Sequence, residues 1–257
     1  MSAQNQTVTV RGLTIGAGMP KIIVPLTGKM PADLMKQAQR IRKEPGVDAV
    51  EWRVDLYEHA LWPAQILAAL KALCTVLGEI PLLFTFRTAK EGGEVDIGKE
   101  DYYAINLAAA RSGLVDLVDV ETAVGDDVSD HIAKLHELGV KVVASRHDFE
   151  KTPDGETILT CLELGWSVGG DISKLAVMPA DSGDVERLMD TAGQVFARHR
   201  RPLVAISMGE LGVRSRMEGE KIGSAMTFGT LGQTSAPGQI PVSQLKSELE
   251  RIHKEIL

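Results

Sequence analysis

The sequence predicts an α/β fold, a closed (β/α)8 barrel, and three observations carry that prediction. Short β-branched runs alternate with longer amphipathic stretches along nearly the whole chain, and such alternation means a parallel sheet. Eight strand-then-helix units are counted in 257 residues, and about 250 residues is the usual size of this barrel. No glycine-rich dinucleotide fingerprint follows the first strand, which counts against the competing open, doubly wound sheet.

Each element has its own signal. Residues 1–6 are polar and are expected to be disordered. Thr7 to Gly16 (TVTVRGLTIG) reads as a hairpin ahead of the barrel, covering its floor. Lys21 to Leu26 is the first barrel strand, with a helix from about Ala32 to Lys43. Ala49 to Asp55 is the second strand and Pro63 to Leu77 its helix. Pro81 to Arg87 is the third, with a helix near Asp101 to Ser112. Leu114 to Glu121 is the fourth; its helix places Val128, Ile132, Leu135 and Leu138 on one face and stops at Gly139. Lys141 to Asp148 is the fifth, its helix opened by Thr152-Pro153 and stopped at Gly165. Asp171 to Met178 is the sixth, followed by a helix lined by Val185, Leu188, Met189, Ala192 and Phe196. Leu203 to Gly209 and Ala225 to Thr230 are the last two, with a short turn or helix between them. A final helix buries Val242, Leu245, Leu249, Ile252 and Ile256. No linker divides the chain, so residues 1–257 are expected to form one domain.

Bulk properties narrow the function. The 28 basic and 35 acidic residues leave a formal charge of −7, unsuited to coating nucleic acid or an anionic membrane. A small anion remains a possible ligand, because it meets only its pocket. Cys74 and Cys161 have no metal-type spacing and no disulfide-scaffold density, which points to the reducing cytoplasm. The stretch from Ala60 to Leu77 is interrupted by Pro63, Gln65 and Lys71, so no membrane span is expected.

Ionisable residues gather where barrel enzymes do their chemistry, at the C-terminal ends of the strands. Glu51, Arg53 and Asp55 alternate by two and share one side of the second strand; they either bind a ligand or form an ion-pair network. Arg87 ends the third strand, ahead of a loop carrying Glu91. Asp119 and Glu121 end the fourth, and Arg146, His147 and Asp148 the fifth. Lys174 lies mid-strand in the sixth, a position where lysine is rare unless paired. In a dry site beside other cations its amine would lose its proton readily and become a nucleophile toward a ketone. Pairing with an acidic neighbour is the alternative. His147 suits general acid/base work, with Glu91 available to orient it, or is a structural histidine. No histidine pair has zinc-ligand spacing on one helix and no H-E-x-x-H occurs, which argues against a zinc hydrolase, and the P-loop pattern is absent. Leu231 to Ile240 (LGQTSAPGQI) reads as a mobile lid or an ordinary connection.

These residues resemble the type I 3-dehydroquinate dehydratases, the Schiff-base enzymes of the shikimate pathway. The matching segments run from Glu51-Trp52-Arg53-Val54-Asp55 and Phe84 to Gly93 through Ser145 to Phe149 and Lys174 to Pro179. They end with Ser207-Met208-Gly209, Ser215-Arg216 and Ser235 to Gln239. The resemblance implies a lyase converting 3-dehydroquinate to 3-dehydroshikimate. Lys174 would form the imine, and His147, oriented by Glu91, would move protons. Arg216 would hold the substrate carboxylate, with Ser235 and Gln239 closing over it. Glu51, Arg53 and Arg87 would bind the ring hydroxyls, with Met208 and Phe228 as apolar walls. It further implies a homodimer working without metal or organic cofactor. Arg146 sits where the family motif varies and, by strand alternation, should point away from His147. Two alternatives stand beside this reading: another Schiff-base barrel such as an aldolase or transaldolase, and a non-catalytic barrel that binds a small anion.

Overall fold

The computed structural model describes residues 5–257. The expectation of disorder at residues 1–4 lies outside that range; Gln6, grouped with them, donates its amide to the Arg200 carbonyl at 2.8 Å. Two short antiparallel strands, β1 (Val8–Val10) and β2 (Leu13–Ile15), form the expected hairpin. Its turn places Arg11 and Gly12 at φ 44° and 81°, the positive values that a tight two-residue hairpin needs. Arg11 tolerates this while its guanidinium donates to Asp116 at 2.7 Å, tying the hairpin to the barrel.

Eight parallel strands follow: β3 (Lys21–Leu26), β4 (Ala49–Arg53), β5 (Leu82–Thr85), β6 (Leu117–Glu121), β7 (Lys141–Asp148), β8 (Ile172–Val177), β9 (Leu203–Ser207) and β10 (Met226–Phe228). They pair in chain order, and β10 pairs with β3. A parallel bridge between Leu203 and Ser224 draws β9 toward β10 and completes the ring. Eight helices surround it: α1 (Pro31–Ile41), α2 (Pro63–Leu77), α3 (Lys99–Arg111), α4 (Val128–Glu137), α5 (Gly155–Ser167), α6 (Ser182–His199), α7 (Val213–Met217) and α8 (Val242–Ile256). None of the described helices is long and apolar enough to cross a membrane.

Strand parity sorts the side chains. Outward residues such as Val50, Trp52, Phe84, Val118 and Val142 pack under α1 to α4 and α8. Leu175, Val177, Leu203 and Ala205 pack under α5 and α6. Inward residues change character along the barrel axis. At the N-terminal end Ile23, Leu83, Leu117, Val143, Ile172, Val204 and Met226 meet Val8, Val10 and Ile15, so the hairpin plugs the floor. One pleat higher the inward row turns polar, with Glu51, Thr85, Asp119, Ser145 and Lys174, all buried.

Several element ends depart from expectation. Asp55 is not on the strand but in a 3-10 turn, Val54–Leu56, where its carboxylate grips Arg53 in a two-pronged pair at 2.8 and 2.7 Å. The cap of α5 is Asp154, which accepts the Thr157 amide at 2.8 Å, while the Thr152 hydroxyl donates instead to the Met178 carbonyl. Gly165 does not stop α5; it lies inside the helix, and a Cβ there would sit 2.3 Å from Ser173 Oγ. Leu138 and Ile256, expected on buried faces, are exposed because their helices end at or before them.

Candidate active site

The polar row opens into a pocket at the C-terminal mouth. All eleven residues singled out from the sequence line it: Glu51, Arg53, Arg87, Glu91, His147, Lys174, Met208, Arg216, Phe228, Ser235 and Gln239. They come from four strands (β4, β7, β8 and β10), the short helix α7 and the segments that follow β5, β9 and β10, so the barrel itself fixes their spacing.

Lys174 stands at the centre. Its Nζ lies 3.6 Å from Asp119 Oδ2, 3.9 Å from Glu51 Oε1 and 4.6 Å above the Phe228 ring. Burial lowers its pKa; Asp119 and Glu51 oppose that shift, and Arg87 and Arg53 reinforce it. The side chain is therefore paired, as the plainer sequence reading held, and it is also desolvated at the head of a pocket.

His147 lies on the neighbouring strand. Ser145 is the partner of Lys174 and His147 that of Ala176, so the imidazole belongs to the same inward row one pleat nearer the mouth. Glu91, in the 3-10 turn Ala89–Glu91, accepts the His147 backbone amide at 2.9 Å and lies 3.1 Å from Nδ1 through the same oxygen. A proton held on Nδ1 by that contact leaves Nε2 as the free base. Burial, then the positive charges of Arg87, Lys174, Arg53 and Arg146, keep the ring neutral well below its ordinary pKa. Burial pushes the Glu91 carboxyl up to about 8, with Arg87 pulling against it.

The arginines differ in what they are free to do. Arg87 is committed: its guanidinium reaches Asp119 at 2.8 Å, Glu121 at 2.9 Å and Ser145 Oγ at 3.0 Å. Arg53 is held by Asp55 and donates to the Ser235 carbonyl at 3.1 Å. Arg216 alone among the buried, described cations has no carboxylate partner; it donates to the Pro237 carbonyl at 2.9 Å, and its Nε is buried without an acceptor. Burial lowers its pKa to about 10, which leaves it cationic at neutral pH. The segment 231–240, read as a lid or a connection, contributes Ser235 and Gln239 to the pocket wall, where Ser235 donates its amide to Gln239 Oε1 and Gln239 Nε2 donates back to Ser235 Oγ, at 2.9 and 3.0 Å.

Sequence reasoning gave no role to Asp119, Glu121 or Ser145, which form the frame of the site together with Asp55, expected as a ligand or ion-pair residue and found paired with Arg53. It also passed over Phe149, whose ring stacks near His147 with centroids 6.4 Å apart. Parity was the available signal: Asp119 and Glu121 fall on the same inward row as Lys174. Arg146 has the opposite strand parity to His147 and is half-exposed, yet its guanidinium donates to Glu91 Oε1 at 3.4 Å.

Fold and pocket together define a (β/α)8-barrel enzyme with its polar centre at the C-terminal mouth. Residues 22–256 match the family model described as type I 3-dehydroquinase. The chain is 45% identical over 249 residues to the 3-dehydroquinate dehydratase of Listeria monocytogenes, covering 96% of this chain and 98% of that one. It is 46% identical over 251 residues to the Escherichia coli enzyme of the same name, covering 97% and 99%. Among solved structures, the type I 3-dehydroquinate dehydratase of Clostridium difficile with covalently modified comenic acid superposes with a TM-score of 0.94. That pair shares 40% identity over 98% of this chain and 100% of the other. The chain belongs to the type I 3-dehydroquinase family.

Proposed function

We propose that this protein dehydrates 3-dehydroquinate to 3-dehydroshikimate through an imine on Lys174. The observation that carries the reading is the desolvated Lys174 amine, one pleat below an imidazole on the adjoining strand whose Nδ1 is held by the buried carboxyl group of Glu91. Binding alone requires no such pairing of amine and base.

The chemistry follows from the groups present. The carbon beside a plain ketone is too weak an acid for histidine to deprotonate quickly. Converting the ketone to a protonated imine supplies an electron sink. His147 Nε2 then takes the proton and returns it to the departing hydroxyl, work typically giving about 10²–10⁴-fold. Hydrolysis of the product imine frees Lys174. Arg216, a buried guanidinium with no carboxylate of its own, suits the substrate carboxylate, and Ser235 and Gln239 close over it. Glu51 and Arg53 are placed for ring hydroxyls. Arg87, already bound to three side chains, contributes positive charge and a rigid frame alongside any hydroxyl contact. Met208 and Phe228 supply apolar walls. The reading includes a cytoplasmic homodimer needing no cofactor.

Borohydride reduction of the protein mixed with 3-dehydroquinate, followed by peptide mapping, tests it. A stable mass increment on Lys174 is expected. Dehydration without any adduct would keep the activity and remove the imine; neither product nor adduct would return the aldolase and anion-binding readings.

A further inference from the structure

Asp119 carries an oxygen that the rest of the protein leaves unused. Its Oδ1 accepts from Arg87 Nη2 at 2.8 Å and from Ser145 Oγ at 2.7 Å. Its Oδ2 is buried and has no hydrogen-bond donor, and the nearest cation is Lys174 Nζ at 3.6 Å. A buried carboxylate oxygen without a donor costs stability, so the arrangement asks for positive charge on the lysine side. Glu51 is placed differently: it lies farther from Nζ and takes the Thr85 hydroxyl at 3.0 Å.

We propose that Asp119 Oδ2 is the fixed counter-ion of the lysine nitrogen throughout the reaction, facing the ammonium at rest and the protonated imine once the substrate is attached. This rests on the Schiff-base reading above and deepens it. The balance of the step explains why one counter-ion serves both states. An ammonium and a ketone give a protonated imine and water: the C–N bond forms, the C–O bond breaks, and two nitrogen protons leave with the oxygen. Nitrogen is cationic at both ends. A negative charge held beside it keeps the imine protonated, and only the protonated imine draws electrons from the adjacent C–H bond. The carboxylate is suited to this, because Arg87 and Lys174 overcome the effect of its burial and hold its pKa low. The other charged or titratable groups facing the nitrogen are Glu51, Arg87, Arg53 and the neutral imidazole of His147.

The test is the pH profile of Asp119→Asn beside wild type, with borohydride trapping on both. The variant should still form the adduct, with KM nearly unchanged. Its kcat should fall about tenfold or more, and the alkaline limb of kcat should move down by about one pH unit or more, the scale of losing an adjacent opposite charge. Asp119→Glu, which restores the charge, should move the limb back toward wild type. An unmoved limb with KM raised would make Asp119 only an anchor for Arg87 and overturn the proposal. If Asp119→Asn does not fold, wild type decides. With carbonyl-¹³C substrate, the bound imine carbon should keep its protonated shift at least about one pH unit beyond the same ketone's butylamine imine. Titration together with that reference would overturn it. Absence of any wild-type adduct would remove the Schiff-base reading itself, a separate result.

Discussion

Arg146 and His147, consecutive on β7, hold opposite oxygens of one carboxylate. Arg146 reaches Glu91 Oε1 at 3.4 Å, while the backbone amide and Nδ1 of His147 meet Oε2 at 2.9 and 3.1 Å. Alternation sends the two side chains to opposite sides of the strand. They converge because Glu91 sits on a turn at the strand's mouth and arginine is long enough to reach it from outside. A half-exposed cation therefore acts on the buried base through the residue that orients it.

Removing that cation should shift the acid limb of kcat/KM. Arg146 lowers the pKa of both Glu91 and His147, so Arg146→Ala should raise both and move the limb to higher pH. The shift should stay below about one unit, because the guanidinium is partly solvated and screened. Profiles at low and high salt provide the check: the difference from wild type should shrink in salt. Profiles that coincide at low salt would make the contact with Glu91 inconsequential.

Glu91 should make stability depend on pH in a direction unusual for a carboxylate. Folded, it keeps its proton up to about 8; unfolded, it releases it near the ordinary 4.5. Between those values the unfolded chain binds fewer protons at this site, so rising pH favours unfolding. Glu91→Gln removes the dependence. The Tm of the variant minus that of wild type should grow more positive from about pH 5 to pH 8 and then level off. Calorimetry at four or five pH values suffices, and a flat difference would show that Glu91 ionises normally.

Much of this site was legible because period-two alternation fixes which side chains enter a barrel. Lys141–Asp148 and Pro63–Leu77 were bounded correctly, the second by proline in the first turn and a left-handed Gly78 at the end. The helix after β7 departs from the sequence expectation at both ends. Asp154 outcompetes Thr152 as cap, and Gly165, a stop by sequence pattern, lies inside the helix and serves close packing. The reach of Arg146 was hidden because alternation gives the direction of a Cβ and not the far end of a long side chain. Asp119 was visible as a charge, but nothing in a linear pattern tells which buried oxygen lacks a donor.

The lid offers a kinetic prediction. Gly238 has φ +79°, and a Cβ there would lie 2.2 Å from the Gly209 carbonyl oxygen, a backbone atom that cannot rotate aside. The lid also receives the Gly209 amide at the Pro237 carbonyl, 3.2 Å away. Gly238→Ala should prevent seating of Ser235 and Gln239 and lower kcat/KM about 10- to 100-fold, the scale of misplaced binding groups. Far-UV circular dichroism should be unchanged. Wild-type kinetics would mean that the lid need not seat this way during turnover.

Gly165→Ala sets two local effects against each other. Alanine in a helix interior is worth about 0.5–1 kcal/mol over glycine. Against that, the new methyl would lie 2.8 Å from Ser173 Cβ and 3.2 Å from its Cα, and overpacking of this kind costs about 1–3 kcal/mol. The serine hydroxyl can swing away, but the Cα belongs to β8 and moves only with the strand. Overpacking should win, lowering Tm by roughly 2–4 °C for each kcal/mol lost. Activity measured well below Tm should fall as well, because the displaced residue adjoins Lys174 and pushes its strand toward the pocket. A higher Tm with full activity would show that α5 can slide outward and that Gly165 is not needed for close packing.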